Sequence, residues 1–312
     1  MLRSVPYFMN NAVGGKRVTK GGSVQSGSAF AQASFDAFDY NTRSEVIGSD
    51  RYLGTDPTDI GNPIAADAFA YDFDPIGNRL SAGVGGVSER YTTNELNQYT
   101  QVSGLSTQPI HDTDGNLKEQ DGWFYKWNAE NRLVEAYSFA ADKKLEFVYD
   151  YLGRRVEKQV TQISTGTVMS EERFLYDGWN LVATFTLSNL QTFTLAKQYL
   201  WGLDLSQSLH GAGGVGGLLS VDELSGTHAG FYHYTYDANG NVTEVLNASG
   251  GIVAHYEYSP FGEVIRSSGA YADANNFRFS TKYLDTETGF CYYGYRYYDP
   301  LSGRWLSRDP LQ

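Results

Sequence analysis

The sequence predicts an all-β protein, built from repeated antiparallel β-hairpins that pair edge to edge into one continuous, curved or spiralling sheet. Two observations support this fold class. The 312 residues include 24 tyrosines and 34 glycines, and tyrosine favours strands while glycine favours tight turns. Apolar and polar residues also alternate with a period of two, and long helical patterns are scarce. Many short strands joined by tight turns are therefore expected.

The individual hairpins are marked by alternating segments and by the turns between them. Strand-like alternation occurs at 145–149, 232–236 and 252–258. Asn239-Gly240 and Asp114-Gly115 are predicted to form the tips of two-residue hairpins, with Tyr236 and Tyr256 on neighbouring strands, because Asn-Gly and Asp-Gly supply the positive φ of such turns. The glycine-rich segment 211–217 is interpreted as a tight hairpin within the sheet, with a free linker as the alternative.

One short motif recurs along the chain at intervals of about 20 to 27 residues. It consists of Tyr-Asp, a variable stretch, and then Gly followed by Asn or Arg. A repeat of this length holds one hairpin, which is only marginally stable alone, so successive hairpins must pair with each other. The residues assigned to the clearest copies are Tyr71, Asp72, Gly77, Asn78, Tyr149, Asp150, Gly153, Tyr236, Asp237, Gly240 and Asn241.

The recurring motif resembles the YD repeat of bacterial RHS (rearrangement hotspot) proteins. Residues 236–310 also resemble the RHS repeat-associated core, through a set that includes Asp285, Gly289, Arg296, Tyr297, Asp299, Gly303 and Arg304. The resemblance implies three regions. Residues 1–34 form an irregular Gly/Ser-rich segment, 35–227 contain degenerate YD repeats, and 228–312 form a core that is truncated at its C-terminal end.

The same resemblance implies a structural role. The chain is expected to be a shell segment of a polymorphic-toxin-type protein, which would encapsulate or present a C-terminal effector that is missing here. The expected partners are that effector polypeptide or the remaining shell segments. A secreted or cell-surface location follows from the family, although the sequence shows neither a signal peptide nor a transmembrane segment.

A surface module that binds carbohydrates or another cell is the alternative, with glycans as possible partners. Rows of tyrosine and tryptophan can stack on sugar rings, but in alternating strands they more often form the core. The two interpretations differ in whether the tyrosine faces point outward or inward.

An enzymatic role rests on Arg308-Asp309-Pro310. In proteins similar to this one, the core is an aspartyl autoprotease that requires two carboxylates able to share a proton. Asp309 matches the first carboxylate and Arg308 the residue before it, but Gln312 stands where the family has glycine and the second carboxylate is absent. We expect an inactive site in which Arg308 pairs with Asp309 and holds it ionised.

Other functions have little support. With 24 basic and 36 acidic residues the net charge is −12, so no nucleic-acid partner is expected. The five histidines lack metal-ligand spacing and residues 112–116 lack EF-hand spacing, so neither a metal nor any other cofactor is expected. Asp285, Glu287 and Asp299 are interpreted as turn caps. Cys291, the one cysteine, is interpreted as a small packed residue.

Overall fold

The computed structural model describes residues 16–21, 34–188 and 192–310. This part of the chain contains 25 β-strands, and its only helical elements are two 3-10 turns of three residues each, Ala65–Asp67 and Phe279–Thr281. The predicted all-β class is therefore confirmed. Of the N-terminal segment predicted to be irregular, residues 16–21 form a strand, and most of the remainder lies outside the described residues.

The strands follow one another along the chain with short connections. They are β1 Lys16–Gly21, β2 Ser34–Tyr40, β3 Val46–Leu53, β4 Phe69–Phe73, β5 Arg79–Val84, β6 Val87–Thr93, β7 Tyr99–Val102, β8 Ile110–His111, β9 Leu117–Gln120, β10 Trp123–Trp127, β11 Leu133–Ser138, β12 Lys143–Tyr149, β13 Arg155–Gln162, β14 Val168–Asp177, β15 Asn180–Ser188, β16 Thr192–Trp201, β17 Leu218–Glu223, β18 Gly230–Tyr236, β19 Val242–Asn247, β20 Ile252–Tyr258, β21 Val264–Ser268, β22 Tyr283–Asp285, β23 Phe290–Tyr292, β24 Tyr297–Asp299 and β25 Arg304–Trp305.

These strands form three antiparallel sheets rather than the single sheet predicted. The first sheet contains β1 to β7, the second contains β8 to β21, and the third contains β22 to β25, each in chain order. The ladder breaks between β7 and β8 because the connecting residues form other hydrogen bonds. Val102 N donates to Gln108 Oε1 (2.7 Å), and Ser106 N donates to Asp121 Oδ1 (2.9 Å). The second sheet runs without a break across the predicted boundary at 227–228, since β17 pairs with β18.

The turn at 237–241 shows how one hairpin is closed. Asp237 Oδ1 accepts hydrogen bonds from the backbone N–H groups of Asn239 and Asn241, both at 2.9 Å. Gly240 has φ +76° and donates its N–H to Asp237 O. The turn at 112–116 has the same bonds around Asp112 and Gly115. Both predicted hairpin tips are therefore confirmed.

The predicted loop length and neighbour relation are wrong. Among the residues of these two loops only Gly240 and Gly115 have positive φ, and the strand register shifts by one residue beside each loop. This is the three-residue loop with a bulge rather than the two-residue turn. Tyr236 lies on β18 and Tyr256 lies on β20. Strand β19 lies between these two strands, and the turn at 248–251 joins β19 to β20.

The first copy of the repeat is also displaced from its predicted register. Asp74 Oδ1, not Asp72, accepts the N–H groups of Ile76 and Asn78 (2.9 and 2.8 Å). Asp72 is exposed and accepts only the N–H of Phe73. Phe73-Asp74 therefore occupies the place assigned to Tyr71-Asp72, because the distance to the turn glycine decides which carboxylate can reach the loop.

Residues 202–217 form neither a tight hairpin nor a free linker. They connect β16 to β17 as a folded loop organised by the buried side chain of Asp204. Its carboxylate accepts the N–H groups of Ser206 (2.9 Å), Ala212 (2.7 Å) and Gly214 (3.2 Å). These bonds outweigh burial and lower the pKa of Asp204 to about 2.

Aromatic side chains form the core and also cap the turns. A backbone carbonyl oxygen within the first two residues after a turn or loop accepts a hydrogen bond from a tyrosine or tryptophan further along the chain. This bond satisfies both the carbonyl and the polar end of the ring. The pairs are Trp127 with Leu117, Tyr149 with Leu133, Trp201 with Leu181, Tyr236 with Leu218, and Tyr258 with Val242.

Candidate functional site: the C-terminal tail and its anchors

The C-terminal tail, defined here as residues 279–310, forms its own four-stranded sheet and packs on the aromatic face of the second sheet. Ring contacts join the two sheets at several points, with centroids 5.6 to 5.9 Å apart. The pairs are Phe290 with Tyr125, Tyr297 with Phe147, Tyr283 with Phe174, and Phe279 with Tyr258. The tail therefore shares one core with the repeat hairpins.

The tail is also bonded to the turns of the second sheet. Leu117 N, directly after one turn, donates to Leu306 O at 2.8 Å. Arg155 N, directly after another, donates to Tyr292 Oη at 2.7 Å. Backbone N–H groups beside the bulges thus donate hydrogen bonds to the tail, because buried polar groups require a partner.

A buried ion cluster fixes the middle of the tail to β13. It consists of Arg155 and Lys158 on β13 and of Asp285 and Glu287 in the tail. Arg155 Nη1 lies 2.5 Å from Asp285 Oδ2, and Lys158 Nζ lies 2.9 Å from Asp285 Oδ1 and 2.7 Å from Glu287 Oε2. The side chains of Arg155, Lys158 and Asp285 are at most 4% exposed.

Electrostatics keep this cluster charged despite its burial. Burial by itself raises the pKa of Asp285, but Arg155 and Lys158 more than offset it, so the pKa lies below its usual value. Burial likewise lowers the pKa of Lys158, yet Asp285 and Glu287 bring it above its usual value. The guanidinium of Arg155 also lies 4.6 to 5.3 Å from the rings of Tyr292, Phe174 and Phe147.

This cluster corrects two predictions. The carboxylates of Asp285 and Glu287 bind cations on β13 rather than capping their own turn, where Thr288 and Gly289 donate to the backbone oxygen of Asp285. Sequence reasoning missed Arg155 and Lys158 as tail anchors because their partner Asp285 lies 130 and 127 positions away along the chain. The available signal was that both lie on a strand whose buried positions are otherwise apolar.

A second anchor lies at Asp299, where the turn-cap prediction is confirmed. Asp299 Oδ1 accepts the N–H of Leu301 at 3.0 Å, and Oδ2 accepts the hydroxyl of Ser302 at 2.7 Å. The same Oδ2 accepts the amide of Gln120 in β9 at 3.0 Å, so the cap also binds the tail to the second sheet. Arg304, one position after Gly303, donates to Asn78 Oδ1 and to Asn97 O in the first sheet.

The structure separates Arg308 and Asp309, the two residues of Arg308-Asp309-Pro310 that were predicted to pair. Asp309 Oδ2 lies 3.1 Å from Arg296 Nη2, and the Arg296 guanidinium stacks 4.2 Å from the ring of Trp305. Arg308 instead lies against Gly115 in the turn at 112–116. The predicted Arg308–Asp309 ion pair is therefore wrong, because adjacent residues on an extended segment point to opposite sides.

A polar groove of about 780 Å³ lies beside this end of the tail. It runs between residues 302–308 and the turns at 76–78, 95–99 and 109–117. Within the described ranges, no group of three or more His, Cys, Asp or Glu side chains is placed to hold a metal ion. Cys291 is 1% exposed and burial raises its thiol pKa to about 12, as expected of a packed residue.

A charge seam, defined by Asp36, Arg51, Asp67, Glu257 and Arg266, joins the first sheet to the last strands of the second. Arg51 lies 2.7 Å from Asp36 and also contacts Glu257, across 206 positions of sequence. Arg266 binds both oxygens of Asp67. Tyr71 packs edge-on against Phe261 beside the seam, with centroids 4.9 Å apart.

Together, the repeated aspartate-clamped hairpins and the tail bound across their turns define a YD-type hairpin-repeat protein. A family model described as the teneurin YD-shell matches residues 216–311. The tRNA3(Ser)-specific nuclease WapA of Bacillus spizizenii is 30% identical over 246 residues, 77% of this chain and 9% of that protein. Toxin subunit YenC1 of Yersinia entomophaga is 27% identical over 262 residues, 77% of this chain and 26% of that protein.

The chain is similar to the YD-repeat (RHS) shell family, through these relatives and through the family model at its C-terminal end. It spans about a tenth of the length of the WapA nuclease and about a quarter of YenC1. Teneurin-1 of Gallus gallus is 26% identical over 77% of this chain and 8% of that protein. The crystal structure of TcdB2-TccC3 aligns with 89% of this chain and 18% of that chain, at 18% identity and a TM-score of 0.48. In the part of the chain that the structure describes, no helix has the length and apolarity needed to cross a membrane.

Proposed function

We propose that this chain is a wall segment of a toxin-type shell, and that the shell encloses or presents an effector polypeptide joined to the C-terminal side of the tail. The observation that carries the proposal is the position of the tail, which is pinned by the buried ion cluster to the aromatic face of the second sheet. A polypeptide attached after the tail would begin beside that sheet, where the repeats can shield it.

The partners follow from the same proposal. They are the attached effector and the neighbouring shell segments, which would extend the sheets by edge pairing. A secreted or cell-surface location is proposed with them. The similarity to the salivary gland surface protein 1 of Aedes aegypti, 26% identical over 79% of this chain, supports a surface location.

A protease-protection experiment tests the shielding. A flexible reporter polypeptide is fused after Gln312, and in a matched control the same reporter is fused before Met1. We expect the C-terminal reporter to be digested at least about tenfold more slowly, because proteolysis requires an accessible, extended segment. Equal rates for the two fusions would contradict shielding by this chain.

The carbohydrate-binding alternative has less support. Four strand tyrosines illustrate the inward orientation: Tyr125, Tyr199, Tyr234 and Tyr256 are each less than a tenth exposed, and their rings pack in the core. A glycan platform requires exposed ring faces. The inward orientation favours the shell.

We also propose that this chain does not cleave itself. Asp309 pairs with Arg296, and Asp299 is occupied by Ser302, Leu301 and Gln120. Asp309 is thus ion-paired with a cation, whereas an aspartyl mechanism requires two carboxylates that share a proton.

A further inference from the structure

Three members of the buried ion cluster have a geometry suited to covalent chemistry. Lys158 Nζ lies 2.9 Å from Oδ1 of Asp285, which brings the amine within reach of the carboxyl carbon, Cγ. Glu287 Oε2 lies 2.7 Å from the same Nζ and can accept its proton. On the opposite side, Arg155 Nη1 contacts the second oxygen of Asp285 at 2.5 Å.

The two residues that would react, Lys158 and Asp285, are buried, and Glu287 is partly exposed. Side-chain exposure is 4% for Lys158, 1% for Asp285 and 15% for Glu287. The Lys158 ammonium lies 5.9 Å from the ring centroid of Tyr283, and aromatic rings surround Arg155. Burial favours neutral groups over charged ones. It also keeps water molecules from competing with the Lys158 amine for Cγ of Asp285.

We propose that Lys158 and Asp285 join in a side-chain amide bond that staples the tail to β13. The Lys158 ammonium gives one proton to Glu287, and the resulting amine attacks Cγ of Asp285. Arg155 stabilises the negative charge on Oδ2 of the tetrahedral intermediate. Glu287 passes its proton to Oδ1, the nitrogen supplies a second proton, and the C–Oδ1 bond breaks to release water. The products are one amide and one water, and Glu287 is regenerated without any oxidant or co-reactant.

The starting charges make this reaction slow. The neighbouring cations hold the pKa of Asp285 below its usual value, and the two carboxylates hold the pKa of Lys158 above its usual value. The proton transfer to Glu287 is therefore uphill, and the bond forms after folding. The product retains Arg155 and Glu287 as a balanced pair of charges.

The test is the intact mass of the full chain after prolonged incubation at neutral pH. We expect a mass about 18 Da below the sequence mass, from loss of one water in amide formation. Dehydration at Asp-Gly sequences such as Asp114-Gly115 produces the same deficit, so peptide mapping decides the location. Tryptic digestion should leave the bond after Lys158 uncut and yield a branched peptide containing Lys158 and Asp285.

Two variants and one control complete the experiment. Lys158→Arg keeps the charge but removes the amine, and it should yield no branched peptide. Glu287→Gln keeps the Lys158–Asp285 contact, and the loss of the proton acceptor should slow the reaction by roughly a hundredfold or more. The control, Lys126→Arg, alters a 2.7 Å ion pair with Glu135 in which the lysine is 61% exposed. It should leave the mass deficit at 158–285 unchanged.

The wild-type result does not depend on whether the variants fold. A wild-type chain that keeps its full sequence mass throughout the incubation overturns the proposal. So does a water loss that maps to an Asp-Gly sequence, or one that persists in Lys158→Arg.

Discussion

At the scale of single residues, an aspartate or asparagine organises eight of the described hairpin turns, which begin at residues 41, 74, 94, 112, 128, 150, 237 and 247. In the turn at 237–241, Asp237 accepts two backbone N–H groups with Oδ1, and the side-chain amide of Asn241 donates to Oδ2 at 2.7 Å. Gly240, the fourth residue of this turn, supplies the positive φ that closes it. The turn is therefore stabilised by bonds among residues no more than four apart.

Asp237→Ala should lower the free energy of unfolding by about 1 to 3 kcal/mol, because the half-buried backbone N–H and side-chain amide of Asn241 lose their acceptor. Asp72→Ala should change it by less than about 0.5 kcal/mol, since Asp72 is exposed and does not close the turn. Urea unfolding of both variants measures the difference. Equal losses would contradict the register in which Asp74, rather than Asp72, clamps its turn.

His255 supplies a pH-dependent contact at the same scale. Burial alone would lower its pKa, but Glu244 and Glu257 raise it from the ordinary 6.5 to about 9. A raised histidine pKa stabilises the folded state fully below pH 6.5, and this contribution is lost as pH rises through about 9.

Between neutral pH and a pH above 9, the wild type should lose roughly 1 to 3 kcal/mol more stability than His255→Gln. Chemical denaturation at the two pH values measures this. A histidine ring that titrates near its ordinary pKa by NMR would contradict the ion contacts with Glu244 and Glu257.

At the scale of elements, the tail is fixed to the second sheet by contacts between segments far apart in the chain. Arg155 on β13 is the central residue, because its guanidinium contacts Asp285 and Tyr297 and its backbone N–H contacts Tyr292. Without Arg155, Lys158 alone would face the two carboxylates of Asp285 and Glu287, so one negative charge of the cluster would lose its compensation.

Arg155→Met should therefore destabilise the protein by about 3 to 5 kcal/mol and increase hydrogen exchange first in β22 to β24. The matched control is Arg173→Met, which removes a 3.0 Å pair with Glu157 whose arginine is 53% exposed, and it should cost less than about 1 kcal/mol. Similar losses in the two variants would show that burial does not decide the strength of the Arg155 contact.

At the scale of the whole molecule, three sheets are held together by the tail and by the charge seam. Arg304 and Arg79 connect the first sheet to the tail, and Arg51 connects it to β20. These contacts brace the first sheet against the tail and against the second sheet.

The purified chain should show no self-cleavage between acidic and neutral pH, because Asp309 is paired with Arg296 rather than with a second carboxylate. Denaturing electrophoresis over time measures this, with Asp309→Asn as the control. A discrete product that accumulates in the wild type and is absent from Asp309→Asn would restore the protease interpretation.

The sequence by itself determined the all-β class, the repeat and the positions of the hairpin tips. Each of these depends on residues close together in the chain, such as Asp237 with Gly240 and Asn241, whose bonds form within one turn. The tertiary structure alone decided the division into three sheets, the partner of Asp309, and the role of Asp285. The reason is distance along the chain: Arg155 and Asp285 are 130 positions apart, and only the packing of the tail on β13 brings the two charges together.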